Sequence, residues 1–484
     1  MSPLHDILRD RRGPLLVDAA GTHDAAAFFD HVQRLAGQLS VAGVRCVASR
    51  LDNGRDWVAL DLALRQLGLV HVPAPIFFSP AQVSHLLASS GADAWIGQQA
   101  PGDAWTSIGP GLWINPAGRD TPQVLPHGTA CITYTSGTTG QPKGVCLAES
   151  SLIAVARSLV DAMQSLDVRR HLCLLPMATL LENVAGIYAP LISGAEIAVP
   201  SLAEIGYSGA SGIDVPRLLH CLHRYQPESI ILVPQLLLAI VAAAENGIAP
   251  PPSLKFVAVG GARVGESLLR RAAAIGLPVF EGYGLSECAS VVTLNRPGFS
   301  KPGSAGRVLP HASVRISDDG EIHVSGSTYL GYVGEAPPAP GDYATGDLGE
   351  IDADGFLNIL GRRRNVFITS YGRNVNPEWV EAELVQHPLI AQAVVYGEAR
   401  PSNAAVIVPR RADVSQAAIA AALLEVNAGL PDYARVAQFV FATAPFDMAN
   451  GQLTANGRPR RDAVWQIYGD AVSRLYDSSA EHQP

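Results

Sequence analysis

Short apolar runs, separated by alanine- and leucine-rich stretches long enough to be helices, place the tightest limit on how this chain folds. The runs fall at Ala94–Ile96, Cys131–Tyr134, His171–Leu175, Glu196–Val199, Ile230–Val233 and Phe256–Val259. Strands of this kind are buried on both faces, so the pattern predicts α/β layering with a mostly parallel sheet. Residues 25–45 and 55–68 read as helices and Val70–Val72 as a further short strand. A chain of 484 residues exceeds what one hydrophobic core serves, which implies at least two domains.

The character changes between Gly303 and Leu348, where Val314–Ile316, Glu321–Val324 and glycine turns predict a small mixed β region closing the large domain. After the cluster Arg362-Arg363-Arg364 the pattern is shorter-ranged: helices at Pro377–Leu384, Gln416–Val426 and Arg461–Tyr468, and strands at Ala391–Tyr396, Ala404–Val408 and Ala437–Phe441. The expected organisation is a large N-terminal α/β domain over 1–363, a smaller α+β domain over 364–475 and a disordered tail over 476–484.

A net charge of -9, with no extended lysine or arginine block, argues against a nucleic-acid partner. The six cysteines show no metal-ligand spacing and sit among apolar neighbours, as buried thiols of a reducing compartment do. The N-terminus is charged too early for a signal peptide, and the longest apolar stretch, Ile230–Ala244, contains Pro234 and Gln235 and is too short to span a bilayer. The expectation is a cytoplasmic protein without a transmembrane segment.

Chemistry is concentrated first in Thr135-Ser136-Gly137-Thr138-Thr139-Gly140-Gln141-Pro142-Lys143-Gly144. Glycines let several backbone N–H groups converge on phosphate oxygens that the hydroxyls and Lys143 also reach. An apolar run precedes the segment and a helix-compatible run, Ser150–Val160, follows, so strand, loop and helix are expected. It is not the common P-loop, because Gly144 and Val145 follow the lysine.

The order of these residues resembles the phosphate loop of the adenylate-forming superfamily, the AMP-dependent acyl-CoA synthetases and ligases. Further motifs follow in the family's order. Leu175–Glu182 resembles a segment walling the acyl pocket, with Thr179 where longer-chain relatives usually have histidine. Val259-Gly260-Gly261-Ala262 resembles the segment beside adenine and acyl group, and with Val233 completes the expected pocket. Glu281-Gly282-Tyr283-Gly284-Leu285-Ser286-Glu287 resembles the nucleotide segment, which implies adenine stacking for Tyr283, phosphate or carboxylate contact at Ser286 and magnesium at Glu287. Asp347 matches the ribose-binding aspartate, Arg362 an arginine on ribose or phosphate, and Arg364 the hinge. Tyr371-Gly372-Arg373 matches the loop that lines the thiol tunnel once a mobile C-terminal domain has swung.

The resemblance implies ATP-dependent activation of a hydrophobic carboxylic acid, fatty or aryl, to acyl-AMP with Mg2+, then transfer to the thiol of coenzyme A. A phosphopantetheinyl acyl carrier protein is the alternative acceptor. The last motif departs from the family: Arg458 stands where relatives carry the lysine of adenylation, and the only lysines, Lys143, Lys255 and Lys301, all precede the C-terminal domain. Either Arg458 carries that role, with Lys143 and Glu287 as the other catalytic groups, or the protein is a nucleotide-binding pseudoenzyme in which adenylation is impaired.

Overall fold

The apolar runs form the parallel centres of two sheets. The computed structural model describes residues 2–115, 124–135, 142–208, 212–339, 341–454 and 457–480. One nine-stranded sheet has the order Arg307–Val308, Ser290–Leu294, Val279–Leu285, Phe256–Val259, Ser229–Leu232, Arg170–Leu172, Glu196–Ala198, Pro14–Asp18, Gly21–Asp24. From Val279–Leu285 to Pro14–Asp18 its pairs are parallel, and antiparallel strands close both edges. An eight-stranded sheet is parallel from Thr129–Thr135 through Val70–Pro73 and Cys46–Arg50 to Ala94–Gly97. Helix Glu149–Met163 lies between the sheets: Leu152, Val155, Ala156 and Leu159 are fully or nearly buried in one cluster with Val145 and Leu147 of one sheet and Ile197 and Val291 of the other.

The glycine-rich segment is not followed directly by a helix. Lys143–Ala148 is a strand, paired antiparallel to Thr129–Thr135 with Thr135 opposite Lys143. Val145, Cys146 and Leu147 form a continuous apolar run completely buried between layers, a run too short for periodicity to separate strand from helix.

The small β region is a four-stranded antiparallel sheet, Ala312–Ile316, Glu321–Gly326, Tyr343–Ile351 and Leu357–Arg362. The C-terminal α+β domain sets helices Pro377–Leu384, Gln416–Asn427 and Arg461–Ala480 against the sheet Ile390–Tyr396, Asn403–Pro409, Val436–Phe441. The tail expectation fails at its start. The last helix continues to Ala480, and Val464, Tyr468, Val472 and Tyr476 recur every fourth residue as its buried stripe. Tyr476 also donates its hydroxyl to the Ser402 carbonyl at 3.0 Å. Residues 481–484 lie outside the described residues.

Gly284 owes its identity to strand pairing. A β-carbon there would stand 1.7 Å from the Ser290 carbonyl oxygen, which is backbone that cannot step aside. Gly284→Ala is therefore expected to pry apart Val279–Leu285 and Ser290–Leu294 and to cost about 3 kcal/mol or more. The unfolding midpoint in urea measures it; an unchanged midpoint contradicts the packing argument.

Candidate active site

Parallel strands end together, and the loops beyond their C-termini form a crevice. Here that crevice opens into a cleft of ≈ 2320 Å³ between the sheets, the small β region and the C-terminal domain. Gly260, Gly261 and Ala262 follow Phe256–Val259, and Val233 follows Ser229–Leu232, so all four line the cleft beside Thr179. Gly261 has φ +82, a backbone that L side chains rarely adopt, and a β-carbon on Gly260 would lie 3.5 Å from the Gly282 carbonyl. Thr179 turns its hydroxyl to the Pro176 carbonyl at 2.6 Å. The wall at this point is therefore made of small groups.

Opposite them, Tyr283 donates its hydroxyl to Asp347 Oδ2 at 2.7 Å, and Arg362 Nε approaches Asp347 Oδ1 at 2.8 Å. Arg362 also reaches the Thr345 carbonyl at 3.1 Å. The strand pair Tyr343–Ile351 and Leu357–Arg362 sets Asp347 directly opposite Arg362, which explains the meeting of two motifs fifteen positions apart in sequence. Burial raises the Asp347 carboxyl above its ordinary value, against the pull of Arg362 and Tyr283. Burial and then Asp347 push the Tyr283 phenol well up, so it remains a donor. A carboxylate held this way is ready to accept paired hydroxyls.

Lys143 lines the cleft from the start of its strand, paired with Glu335 at 2.8 Å and 4.8 Å from the Tyr332 ring centre. Both partners of this ion pair are substantially exposed, so an anionic ligand displaces Glu335 at little cost. Glu287 lies in the short turn Ser286–Cys288 at the cleft wall, and Tyr332 donates to its Oε1 at 2.9 Å. This hard carboxylate oxygen, orientated by a phenol and near a lysine, fits a magnesium ion shared with phosphates. Glu281 is held differently: burial pushes its carboxyl up to about 7, with the Gly303 N–H at 2.7 Å on its Oε2.

The C-terminal domain reaches this cleft through Arg458, whose Nη2 donates to the Gly261 carbonyl. The protein packed around its guanidinium lowers its pKa through desolvation first and Arg362 second, although the side chain keeps access to solvent. Around it Glu383 accepts the Glu266 N–H at 3.0 Å, and Arg263 lies 5.9 Å from the Trp379 ring centre. Arg364 is exposed just beyond Arg363, which is itself tied to Asp319 and Glu321 of the small β region. Tyr371, Gly372 and Arg373 are not brought to the site: they form the exposed turn between Phe367–Ile368 and Asn374–Val375, with Tyr371 75% exposed.

The structure thus gathers Lys143, Thr135, Gly282, Tyr283, Gly284, Ser286, Glu287, Asp347, Arg362 and Arg458 around one cleft. Ser136, Gly137, Thr138, Thr139 and Gly140 lie outside the described residues. Tyr332 and Glu335 went unrecognised in the sequence. Tyr332 reaches the site because Gly331–Tyr332 adds an edge strand to Lys143–Ala148, a pairing with no local signature.

Comparison with known proteins agrees with this geometry. Residues 10–333 match the family of AMP-binding enzymes, and residues 364–480 match the AMP-binding enzyme C-terminal domain. The long-chain-fatty-acid–CoA ligase of Mycobacterium bovis is 26% identical over 72% of this chain and 69% of its own length. The indoleacetate–CoA ligase of Aromatoleum aromaticum is 28% identical over 90% and 91%. The o-succinylbenzoate coenzyme A synthetase of Bacillus subtilis, solved with ATP and magnesium, superposes with a TM-score of 0.74 at 25% identity over 95% and 98% of the two chains. With a large cleft, a lysine at the start of a strand on its wall and an arginine delivered from a second domain, the chain belongs to the AMP-binding enzymes, as an AMP-forming acid–thiol ligase of the acyl-CoA synthetase type.

Proposed function

We propose that Arg458 fills the adenylation role and that the enzyme joins a hydrophobic carboxylic acid to coenzyme A. The observation that carries this reading is the bond from Arg458 to the Gly261 carbonyl, which brings a cation of the C-terminal domain to the wall where acid and nucleotide meet. The acid enters between Val233, Thr179 and Gly260–Gly261, and its carboxylate attacks the α-phosphorus of ATP. One P–O bond forms, the bond to the β-phosphate breaks, and pyrophosphate leaves. Lys143 exchanges Glu335 for phosphate, while backbone N–H groups of residues 136–140 are proposed to cradle it. Glu287 would hold a magnesium ion, which neutralises charge on the leaving pyrophosphate. Asp347 accepts the ribose hydroxyls and the Tyr283 ring faces adenine.

The part of the chain from Arg364 onward then turns about that residue, replacing Arg458 with the loop Tyr371-Gly372-Arg373. A thiol gives up its proton, its sulfur attacks the acyl carbon and AMP departs. The free, buried cysteines support a reducing compartment, the cytoplasm, as the place of work. Among the described residues no helix is long and apolar enough to cross a membrane.

The test is a panel of carboxylic acids with ATP and magnesium, reading pyrophosphate and then the mass of the thioester. Coenzyme A is expected to clear the acyl-adenylate. An acyl-adenylate that accumulates with coenzyme A and is discharged only by a phosphopantetheinyl carrier protein would overturn the choice of acceptor.

A further inference from the structure

Arg458 is not the only group by which the C-terminal domain holds the N-terminal one. The segment from Gly261 to Glu266 joins strand Phe256–Val259 to helix Glu266–Ala274, and it is gripped at both ends from the C-terminal domain. Gly261 offers its carbonyl to Arg458. At the other end the helix starts from Gly265, which sits in an extended cap conformation and has no side chain to accept a first-turn N–H. The Glu266 N–H donates instead to Glu383 Oε1 at 3.0 Å. Glu383 belongs to helix Pro377–Leu384 of the C-terminal domain, so a helix of one domain is capped by a carboxylate of the other.

Neighbouring groups fix this carboxylate. Gln386 donates its amide to Glu383 Oε2 at 3.1 Å and to the Ala382 carbonyl at 3.0 Å. A β-carbon on Gly265 would lie 1.7 Å from Gln386 Nε2 and 3.1 Å from Glu383 Oε1, so both side chains pack directly on the glycine backbone. Trp379, one turn before Glu383 on the same helix face, has Arg263 of the gripped segment 5.9 Å from its ring centre. Arg263 is itself anchored on the Ile359 carbonyl at 2.9 Å. Burial raises the Glu383 carboxyl above its ordinary value, against the pull of the Glu266 N–H and Arg263. The penalty for burying the charge offsets part of the contact, as suits a bond that is released in each turnover.

We propose that Glu383 is a positioning residue for adenylation: its bond to the Glu266 N–H latches the C-terminal domain in the arrangement that sets Arg458 against Gly261, and it lets go when the domain turns. Glu383 lies outside the cleft lining, so it acts on the reaction only through where it holds the domain. A turn about Arg364 carries helix Pro377–Leu384 away and passes the Glu266 N–H to water, which already reaches this residue because Glu266 is exposed. The latch therefore opens readily, and its removal shifts the domain away from the adenylation arrangement without taking any group out of the cleft. The proposal rests on the reading in which Arg458 serves the first half-reaction.

Spin labels read the domain arrangement without turnover. The six cysteines are free and buried, whereas Val41 is 92% and Leu424 73% exposed, so Val41→Cys and Leu424→Cys place one label on each domain. With ATP and magnesium one dominant label distance is expected, and adding Glu383→Ala should bring up a second. In the unlabelled chain Glu383→Ala should slow acyl-adenylate formation about tenfold, as the loss of one charge-assisted hydrogen bond to the docked state. Thioester formation from supplied acyl-adenylate and coenzyme A should stay within about threefold of wild type. Glu383→Gln keeps an acceptor for the N–H and should lose less than the alanine variant. An unchanged label distance in Glu383→Ala sinks the proposal, and so does an equal loss in the two half-reactions, which marks a merely structural residue. A wild type that releases no pyrophosphate with any acid sinks the acid-activating reading instead, and the label distances still decide the latch.

Discussion

Replacing Arg458 by alanine is expected to slow acyl-adenylate formation by about 10²- to 10³-fold, the usual loss when a preorganised donor to developing charge is removed. The second half-reaction, started from supplied acyl-adenylate and coenzyme A, should stay within about threefold of wild type. The asymmetry follows from position. Arg458 projects from the segment between the C-terminal sheet and its last helix, and it touches the N-terminal domain at the Gly261 carbonyl. Its charge acts at the cleft only when the C-terminal domain is docked as it is here. Desolvation and Arg362 lower its pKa, yet a guanidinium remains cationic after such a shift, so the step acquires no pH dependence from this residue. Arg458→Lys retains charge but loses the planar fork and should recover only part of the rate. Stopped assays of each half-reaction decide the matter. An equal loss in both would mean that Arg458 holds the domains together rather than serving adenylation, and no loss in either would remove it from the site.

The Arg458 case also marks the boundary of what the sequence made legible. Fold class could be read because buried parallel strands are apolar on both faces: Phe256–Val259 begins and ends where expected, as does the helix Pro377–Leu384. The strand at Lys143 escaped because Val145–Leu147 is apolar without alternation, and the last helix was cut short because polar residues separate its fourfold stripe from Val464 to Tyr476. Site residues in contiguous motifs were found, among them Tyr283, Glu287 and Asp347. Their mutual contacts were not, since Tyr283 meets Asp347 only through the packing of two sheets, and Tyr332 reaches Glu287 across forty-five positions. Glu182 was visible in the pocket segment, but nothing local showed that His171 would pack beside it or that Ser229 would meet His171 from the neighbouring strand.

The largest expected loss of stability lies outside the cleft lining, at Asp61. Helix Arg55–Leu67 buries both members of an i, i+4 pair, Asp61 and Arg65, whose residues are 2% and 3% exposed. Asp61 accepts from His71 Nδ1 at 2.7 Å and from the Tyr188 hydroxyl at 2.5 Å, and the second imidazole nitrogen meets Ser49 Oγ at 2.9 Å. The series Ser49, His71, Asp61 has the order of a nucleophile relay, but Ser49 is 1% exposed and no substrate reaches it. Its work is to neutralise Arg65, whose three guanidinium nitrogens have no hydrogen-bond partner and whose charge relies on Asp61 at 3.9 Å. Burial alone would raise the Asp61 carboxyl, yet the His71 hydrogen bond, Arg65 and Tyr188 outweigh it and hold the group at about 2. Burial holds the His71 imidazole below its ordinary value despite Asp61. Both groups are depressed in the folded state, so both contribute stability that is lost on acidification. For His71 the loss begins as pH falls below about 6.5, where the unfolded chain binds the proton; for Asp61 it runs from about 4 towards 2. Asp61→Ala strands a buried cation and two donors, and should cost about 3–5 kcal/mol in urea unfolding at neutral pH. Adding Arg65→Met removes the stranded charge and should restore most of that loss. A single variant within about 1 kcal/mol of wild type, or a double variant worse than the single, would show that the helix tolerates an unpaired Arg65 and that its stability comes from the surrounding apolar packing alone.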